Sequence, residues 1–531
     1  MKTYKELKLD ELSVNQKLGL SMIAFCWSED ESDVDYLEKL VRSRSLGGVW
    51  VYPRGDINQS IIKRLRDAAD YPLLFFTDAE NGWGNNRIPS RNAIGMTNSE
   101  ELAYVSGKIT AIAARKDGYN VICSPILDMV NARWLCGGNL RSLGSNKETV
   151  VRLAAAEARG MQDAGVLTVG KHFPGASKTG QYIDAHMGEM ESDETKEELL
   201  SYNLDPYLEL MKNGLLDGVM LKHGRFPAVD PDYPASLSSE HIKILRERGF
   251  DGFAMSDALN MMGVVAKFGA KMANGLAVGN ARAIALPFQA NNEKVMRWLA
   301  ECYDEGIITD EALDRVVGDV LAAQHKVAVR APKFEEITEE DKKLFDSIST
   351  KSVFAKCDDG VPLSLDKDAP HFFAILTETE LGIKDGDKVA VDTMRTDWYN
   401  PLAIGEKLKS RFPNCKVGYI SEYPTPAKIS QFLSESLGHG DIVFITFFKS
   451  APYAGRECLT SRILSMMDAM QVSGRISTVV HFGNPYITED LPHVPRVIIG
   501  GASRSGVDAG IRTLWGECEA QGVLTYDVKL K

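Results

Sequence analysis

An aspartate and a histidine in the middle of the sequence are spaced to act as an acid–base pair. In the string Asp184-Ala185-His186 the two ionisable residues are two apart, so in an extended segment their side chains point the same way. A carboxylate bonded to an imidazole orients the ring and favours its protonated form, which suits His186 to general acid catalysis. The alternative is a solvated loop histidine with no part in chemistry.

A second aspartate, Asp257, is a candidate nucleophile. It lies in the β-rich run Gly252–Leu259, directly before a helix-like segment. A carboxylate at the end of a strand can attack an electrophilic carbon. An aspartate in the same place can instead cap the helix that follows, and both interpretations remain open from these residues alone.

Ionisable residues also stand where other apolar runs end. Lys171 and His172 close one of these runs. Because side chains alternate along a strand, only one of the two points into a barrel unless the backbone bends before Pro174. The remaining run ends carry Asp78, Glu80, Asp128 and Lys222-His223.

Two other chemistries could use the same side chains. Metal binding would recruit His172, Asp184, His186 and His223, but their spacing matches no strong metal signature. We therefore predict neither a metal nor a cofactor. A Schiff-base lysine at Lys171, as in barrel aldolases, also stays open, although nothing in the sequence supplies the apolar pocket such a lysine needs.

The elements that would position these residues alternate between short β-rich runs and helical patterns. Eight such units over about 300 residues predict a (β/α)8 TIM barrel, with a doubly wound open sheet as the rival fold. In a barrel the active site lies at the carboxyl ends of the strands, where the ionisable residues stand. The predicted strands are Leu18–Phe25, Gly48–Tyr52, Leu73–Asp78, Val121–Asp128, Val166–Phe173, Gly218–Gly224, Gly252–Leu259 and Ala283–Pro287.

A second domain is predicted after the barrel, because 531 residues exceed what one hydrophobic core holds. We predict a barrel domain over residues 1–330, a charged, proline-marked linker over 331–345, and an α/β (αβα sandwich) domain over 346–531. The buried-type strands predicted for the second domain are Phe372–Thr377, Val389–Thr393, Val417–Ser421, Ile442–Phe448, Ser477–Phe482 and Val497–Gly500.

Composition excludes several classes of protein. A formal charge of −12 argues against nucleic acid as a partner. No run approaches the roughly 18–20 apolar residues of a membrane span, so no membrane partner is expected. The N-terminal residues have no apolar stretch typical of a signal peptide, and the eight cysteines are scattered singly. These features predict a cytoplasmic protein with reduced thiols; the oligomeric state is left open.

Several strings together resemble the β-N-acetylglucosaminidases of glycoside hydrolase family 3. The most specific is Lys171-His172-Phe173-Pro174-Gly175 followed by Asp184-x-His186. The matching pieces run in the right order from about residue 15 to 330. The others are Asp78-x-Glu80-x-Gly82, Ser124-Pro125-Ile126-Leu127-Asp128, Arg141-Ser142-Leu143-Gly144-Ser145, Pro234-Ala235-Ser236-Leu237-Ser238 and Ser256-Asp257-Ala258-Leu259.

The resemblance implies a retaining hydrolase that removes terminal β-linked N-acetylglucosamine from cell-wall fragments or chitin-type oligosaccharides. Asp257 would attack the anomeric carbon, and His186, held by Asp184, would protonate the leaving oxygen and later activate water. The α/β domain would correspond to the one that follows the barrel in many members. The predicted sugar-binding residues are Asp78, Arg87, Asp128, Arg141, Lys171, His172 and His223.

The chain departs from the family pattern in two places. Residues Ala176-Ser177-Lys178 replace the usual His-Gly-Asp after Gly175, and two extra residues precede Asp184. The segment leading to Arg87 is one residue longer than expected. These changes suggest a non-catalytic sugar-binding protein on the same scaffold as an alternative. A phosphorylase that transfers the sugar to phosphate, a related family 3 β-glycosidase and a barrel aldolase also stay open.

Overall fold

The structure is a computed structural model, and it divides into two compact units. The barrel unit comprises Met1–Arg87, Ala103–Met129 and Val150–Lys342; the C-terminal unit comprises Ile88–Leu102, Val130–Thr149 and Lys343–Lys531. The residues that the structure describes are 4–27, 30–52, 56–130, 138–175, 184–377, 384–385, 388–389, 398–449 and 458–531.

The strands are numbered in chain order. They are β1 (Ile23–Trp27), β2 (Gly48–Tyr52), β3 (Leu74–Thr77), β4 (Gly82–Trp83), β5 (Asn86–Arg87), β6 (Val121–Ile122), β7 (Leu167–Phe173), β8 (Met190–Glu191), β9 (Gly218–Leu221), β10 (Gly224–Arg225), β11 (Phe253–Ser256), β12 (Phe354–Cys357), β13 (Phe372–Thr377), β14 (Lys384–Asp385), β15 (Lys388–Val389), β16 (Lys416–Ser421), β17 (Ile442–Phe448), β18 (Ile476–Gly483) and β19 (Arg496–Gly500).

The helices are numbered in the same way. They are α1 (Val14–Leu20), α2 (Glu31–Arg42), α3 (Asp56–Ala68), α4 (Arg91–Thr97), α5 (Glu100–Lys116), α6 (Gly138–Arg141), α7 (Lys147–Asp163), α8 (Lys196–Glu198), α9 (Asp205–Lys212), α10 (Ser239–Arg246), α11 (Met262–Gly279), α12 (Asn292–Asp304), α13 (Asp310–Val329), α14 (Glu339–Lys351), α15 (Pro401–Arg411), α16 (Pro426–Ser436), α17 (Ser461–Val472) and α18 (Arg504–Thr513).

The barrel unit is built on a parallel sheet with the strand order β1-β2-β3-β6-β7-β9-β11. The eighth position is occupied by the predicted run Ala283–Pro287, which forms single parallel bridges rather than a full strand. Met255 pairs with Ile284 on one side, and Met22 pairs with Ala285 on the other. These bridges join the last strand to the first, so the predicted (β/α)8 barrel is confirmed and its strands end at one rim.

The first predicted strand begins later than expected. Residues 14–20 form helix α1, and β1 starts only at Ile23. The reason is a capping box, in which the Ser13 hydroxyl accepts from the Gln16 backbone N–H and the Gln16 side chain accepts from the Ser13 N–H. This local signal outweighs the apolar character of the stretch that starts at Leu18.

The C-terminal unit contains a six-stranded sheet with the order β12-β19-β18-β17-β13-β16. Alternate residues of β13 enter two separate cores: Phe373 and Ile375 face helices α15 and α18, whereas Phe372 and Leu376 face α16 and α17. A sheet covered on both faces is the predicted αβα sandwich, which is confirmed. The added edge strand β12 is antiparallel and was not predicted.

One predicted strand of this unit, Val389–Thr393, lies largely outside the described residues. Its first residue belongs to β15, which pairs antiparallel with β14. Among the described residues, no helix combines the length and the apolar character that a bilayer span requires.

The two units are interleaved along the chain, whereas the predicted domains were contiguous. The main division falls between residues 342 and 343, inside α14 and within the predicted linker 331–345. The segments Ile88–Leu102 and Val130–Thr149 were predicted as barrel but group with the C-terminal unit.

Hydrogen bonds within the C-terminal unit explain this grouping. The Val523 N–H donates to the Met96 carbonyl over 2.7 Å. The Thr525 hydroxyl donates to the Leu143 carbonyl over 3.1 Å. The last residues of the chain therefore bind segments that lie more than 380 residues earlier in the sequence, a pairing that no local pattern indicates.

Candidate active site

The predicted nucleophile, Asp257, follows β11 directly at the barrel rim. Its Oδ1 accepts the N–H of Ala258 at 2.8 Å. Burial by itself raises the pKa of Asp257, but the nearby His172 and His223 side chains, the Ala258 N–H and Lys171 together outweigh burial and bring the pKa below its ordinary value of 3.8. Asp257 is therefore ionised at neutral pH, as a carboxylate nucleophile must be.

His223 is fully buried beside Asp257 and acts as a support. Its Nε2 lies 2.9 Å from the Ala258 carbonyl, and its Nδ1 lies 2.7 Å from the Ser236 hydroxyl. Burial lowers the pKa of His223, so the neutral ring donates through Nε2 and accepts the Ser236 hydroxyl proton at Nδ1.

This geometry disagrees with the sugar contact predicted for His223. Both of its ring nitrogens bind protein atoms and the side chain has no exposed surface. The ring instead fixes the residue that follows the nucleophile.

The predicted acid–base pair is present as a compact turn. His186 Nδ1 lies 2.7 Å from Asp184 Oδ1, and the same oxygen accepts the His186 backbone N–H at 3.0 Å. Because an ionised carboxylate only accepts, this bond places a ring proton on Nδ1, and Nε2 is the nitrogen that would exchange protons with a substrate. The Asp184 side chain is 8% exposed and the His186 side chain 30%, so the carboxylate is shielded while the ring reaches solvent.

Lys171 is held between two carboxylates at the rim. Its Nζ lies 2.6 Å from Asp78 Oδ1 and 2.5 Å from Glu80 Oε1, and its side chain is only 2% exposed. The partly exposed Asp78 carboxylate can accept from a sugar hydroxyl while Lys171 fixes its position. Glu80 was noted in the sequence but given no role, and here it is the second partner of Lys171.

A bulge in β7 explains how Lys171 and His172 both serve the rim. Lys171 pairs with Met220 of β9, and Phe173 pairs with the next residue, Leu221. His172 is therefore an extra residue on its strand, which re-aims its side chain. The Lys171–His172 peptide bond is cis.

His172 forms a second histidine–aspartate pair. Its Nδ1 lies 2.7 Å from Asp128 Oδ2, and its backbone N–H donates to the same oxygen at 3.3 Å. Both side chains are 12% exposed. Asp128 comes from the neighbouring strand position, where Ile126 bridges Lys171. Asp128 therefore orients His172, which is the more direct candidate for a sugar contact.

The two predicted arginines lie on a hairpin and at the end of a helix. Arg87 is exposed at the end of the β4–β5 hairpin, where its guanidinium donates to the carbonyls of Gly84 and Gly82. Arg141 ends helix α6 in the C-terminal unit, and its carbonyl accepts from the buried Arg91. Their sugar-binding roles stay predictions. The altered segment 176–183, which joins Gly175 to Asp184, lies outside the described residues.

Within the described part of the chain, no group of three or more histidine, cysteine, aspartate or glutamate side chains is placed to hold a metal ion. The carboxylates at the rim are instead engaged by Lys171, His172 and His186.

Comparison with known proteins identifies the family. The family model for the glycosyl hydrolase family 3 N-terminal domain matches residues 13–323. The chain belongs to glycosyl hydrolase family 3. This family 3 chain is 31% identical to a beta-hexosaminidase of Tolumonas auensis over 239 residues, which are 42% of this chain and 70% of that relative. The predicted family is confirmed, and the protein is a glycoside hydrolase.

Solved structures resemble both units of the hydrolase. A family 3 beta-N-acetylglucosaminidase from Paenibacillus sp. FPU-7 is 26% identical with a TM-score of 0.79, over 98% of this chain and 100% of that one. A beta-glucoside phosphorylase is 23% identical with a TM-score of 0.78, over 98% and 95%. The second likeness concerns the fold alone.

Two supporting residues of the hydrolase escaped the sequence analysis. Ser236 lies in the string Pro234–Ser238, which was noted only as part of the resemblance, yet its hydroxyl binds His223. Gly263 lies in the first turn of α11, and its N–H donates to the Ala185 carbonyl at 2.9 Å. No spacing in the sequence indicates either contact, because each joins segments that are distant along the chain.

Proposed function

We propose that the protein is a retaining exo-β-N-acetylglucosaminidase. The observation that carries the proposal is an ionised, strand-end carboxylate, Asp257, in the same unit as a solvent-reaching His186 whose Nδ1 is held by Asp184. The beta-hexosaminidase relatives and the beta-N-acetylglucosaminidase of similar fold support the choice of sugar.

The reaction would proceed by two displacements. In the first, Asp257 attacks the anomeric carbon while protonated His186 delivers its Nε2 proton to the glycosidic oxygen, so the aglycone leaves as an alcohol. In the second, neutral His186 takes a proton from water, and the resulting hydroxide displaces Asp257 from the glycosyl ester. Two inversions at one carbon return the sugar with its β configuration.

Binding of the terminal sugar would fall to the strand-end residues. Asp78, fixed by Lys171, would accept from one sugar hydroxyl, and His172, fixed by Asp128, would contact another. Each is held in place before the substrate arrives, which reduces the entropy lost on binding. Arg87 and Arg141 are further proposed contacts.

The source of the substrate and the compartment are part of the proposal. Seven described cysteines are free thiols, which fits a reducing cytoplasm; Cys136 is outside the described residues. Recycled cell-wall fragments or chitin-type oligosaccharides would then be the substrates. Cell fractionation with a periplasmic marker tests the compartment. Recovery of the protein with the marker would exclude the cytoplasm.

The decisive assay compares an aryl β-N-acetylglucosaminide with the matching aryl β-glucoside. We expect wild type to prefer the N-acetylglucosaminide. Asp257→Ala should lose roughly 10⁴-fold or more in turnover with every leaving group, since the nucleophile is absent. Full activity of Asp257→Ala would reject the nucleophile. Binding of N-acetylglucosamine without turnover by wild type would instead indicate a sugar-binding protein.

Phosphorolysis is a second candidate. A histidine general acid, once it has given up its proton, is neutral and repels an incoming phosphate less than a carboxylate would. The observation that favours it is the use of His186 where a carboxylic acid could serve. Phosphate added to the assay would then raise turnover and yield a sugar 1-phosphate, whereas a hydrolase releases free N-acetylglucosamine at an unchanged rate.

A further inference from the structure

Helix α11 begins five residues after Asp257 and has no side-chain cap. Its N-cap residue is Met261, whose side chain makes no capping hydrogen bond. The first backbone N–H groups of a helix have no partner within the helix and must find one elsewhere. The third and fourth N–H groups, of Val264 and Val265, return to the Met261 carbonyl at 3.1 Å. The first two N–H groups therefore need outside acceptors.

The acid–base turn supplies both acceptors. The Gly263 N–H donates to the Ala185 carbonyl over 2.9 Å, and the Met262 N–H donates to the His186 carbonyl over 3.4 Å. The turn that carries His186 thus caps the helix that follows the nucleophile. One short segment, from Asp257 to Gly263, bears the carboxylate at one end and holds the acid–base histidine at the other.

Only glycine fits at the point of closest approach. Gly263 is buried, and a Cβ on it would lie 2.8 Å from the Ala185 carbonyl oxygen and 3.1 Å from that of Gly188. Both neighbours are backbone atoms, which cannot rotate away as a flexible side chain would. Any larger residue must therefore displace the turn.

The near end of the segment is fixed as well. The Ala258 carbonyl accepts from His223 Nε2 at 2.9 Å and from the Met261 N–H at 3.1 Å. These bonds hold the stretch between the nucleophile and the helix in one shape. A shift of the turn on α11 would consequently change the position of His186 relative to Asp257.

We propose that Gly263 is a positioning residue for proton transfer. Because Gly263 has no side chain and donates its N–H to the Ala185 carbonyl, it sets the position of His186 relative to Asp257. The inference rests on the proposed function, since it assumes that His186 is the acid–base group. Gly263 itself touches no substrate.

Gly263→Ala tests the steric part of the inference. Alanine is the better helix former, so α11 should persist while the new methyl group moves the turn. We expect turnover of an aryl β-N-acetylglucosaminide with a poor leaving group to fall about 10- to 100-fold, and with an activated leaving group less than about threefold, because only the first needs a well-placed proton. A structural defect would lower both rates equally.

Met262→Pro tests the hydrogen bond by a different route. Proline is favoured at the first position of a helix, and Met261 already has the extended conformation, φ −71° and ψ 140°, that a following proline requires. The change removes the donor to the His186 carbonyl and places the ring Cδ against that oxygen, so it disturbs the turn from the helix side. The Met262 side chain is exposed, so its loss removes little packing. We expect the same dependence on the leaving group as for Gly263→Ala.

Gly318→Ala is the matched control. Gly318 lies within α13, and a Cβ there meets nothing within 4 Å. This variant should keep wild-type rates with both substrates. The double variant Gly263→Ala/His186→Ala should be no slower than His186→Ala alone, because a residue that acts through His186 has no effect once the histidine is gone.

The outcomes separate the inference from the proposed function. If His186→Ala shows no dependence on the leaving group, the acid–base assignment fails and the inference fails with it. If His186→Ala shows it while Gly263→Ala and Met262→Pro do not, only the positioning role is rejected. Should Gly263→Ala fail to fold, as judged by circular dichroism, Met262→Pro decides the question by itself.

Discussion

Two histidine–aspartate pairs serve the barrel unit, and they differ in almost everything except their central bond. In each pair Nδ1 lies 2.7 Å from a carboxylate oxygen that also accepts the backbone N–H of the histidine. His172 lies in β7, and Asp128 lies 44 residues earlier in the segment that follows β6. His186 and Asp184 share one turn.

The difference shows how surroundings separate binding from proton transfer. Both side chains of the His172 pair are largely shielded, at 12% exposure each, and His172 belongs to β7, which suits a fixed contact to a sugar. The His186 pair buries its carboxylate and exposes its ring, which lets Nε2 exchange protons with water or a substrate oxygen. The same chemical unit can therefore hold a ligand or move a proton, depending on which half is shielded.

The sharpest test of this contrast replaces each histidine by alanine. His186→Ala should lose about 10²- to 10⁴-fold in turnover with poor leaving groups and far less with activated ones, because the proton donor is missing. His172→Ala should lower kcat/KM by a similar factor for all leaving groups, since it removes a sugar contact. Turnover numbers across a series of aryl leaving groups measure the difference. If turnover depended on the leaving group in the same way in both variants, the proposed distinction between binding and proton transfer would be rejected.

Replacing each aspartate by alanine tests burial. Asp128→Ala leaves His172 Nδ1 and its backbone N–H without their acceptor in a nearly buried place, so we expect a loss of about 2 kcal/mol in the free energy of unfolding. Asp184→Ala exposes His186 to water, which replaces the lost bond, and should cost less than about 1 kcal/mol. Urea denaturation of the full-length protein, followed by tryptophan fluorescence, measures both losses. Equal losses would contradict it.

A histidine without a carboxylate contact sharpens the comparison further. His241 in α10 is buried, and among the described residues neither of its ring nitrogens has a hydrogen-bond partner. Burial lowers its pKa from 6.5 to about 4. Between pH 6.5 and pH 4 the unfolded chain therefore binds a proton at His241 that the folded chain does not bind. The free energy of unfolding is highest above pH 6.5 and falls as the pH drops towards 4.

His241→Phe removes that proton from the balance. Between pH 7 and pH 5 we expect the free energy of unfolding to fall by about 2 kcal/mol more in the wild type than in the variant, because phenylalanine does not titrate. Urea denaturation at the two pH values measures the change in the free energy of unfolding for each protein. Because each protein is compared with itself, a change in packing caused by phenylalanine cancels. An identical pH dependence in both proteins would show that His241 is not the group responsible.

The smallest effect is expected at the far end of the acid–base turn. Lys267 of α11 lies 3.9 Å from Glu189, and both side chains are substantially exposed. Exposed ion pairs contribute less than about 1 kcal/mol, so Lys267→Met should change turnover less than about threefold. Initial rates with the poor leaving group are the measurement. A tenfold loss would mean that charge, rather than the backbone contacts of Gly263, holds the turn.

The sequence by itself determined the features that depend on local spacing. The Asp184–His186 pair could be predicted because residues two apart in the sequence stay close in space, although the segment is a turn rather than the extended loop assumed for the prediction. The barrel and most of its strands could be predicted because apolar runs ending in ionisable residues repeat along the chain. The αβα unit followed from buried strands in the same way.

Only the tertiary structure decided the contacts between distant segments. It paired His172 with Asp128, placed Glu80 on Lys171 and gave both ring nitrogens of His223 to the protein. A residue type and a position in a strand do not determine which partner a side chain meets, because a single bulge, as in β7, re-aims it. The close fit of Gly263 against the acid–base turn has the same origin: it exists only once two elements are packed together.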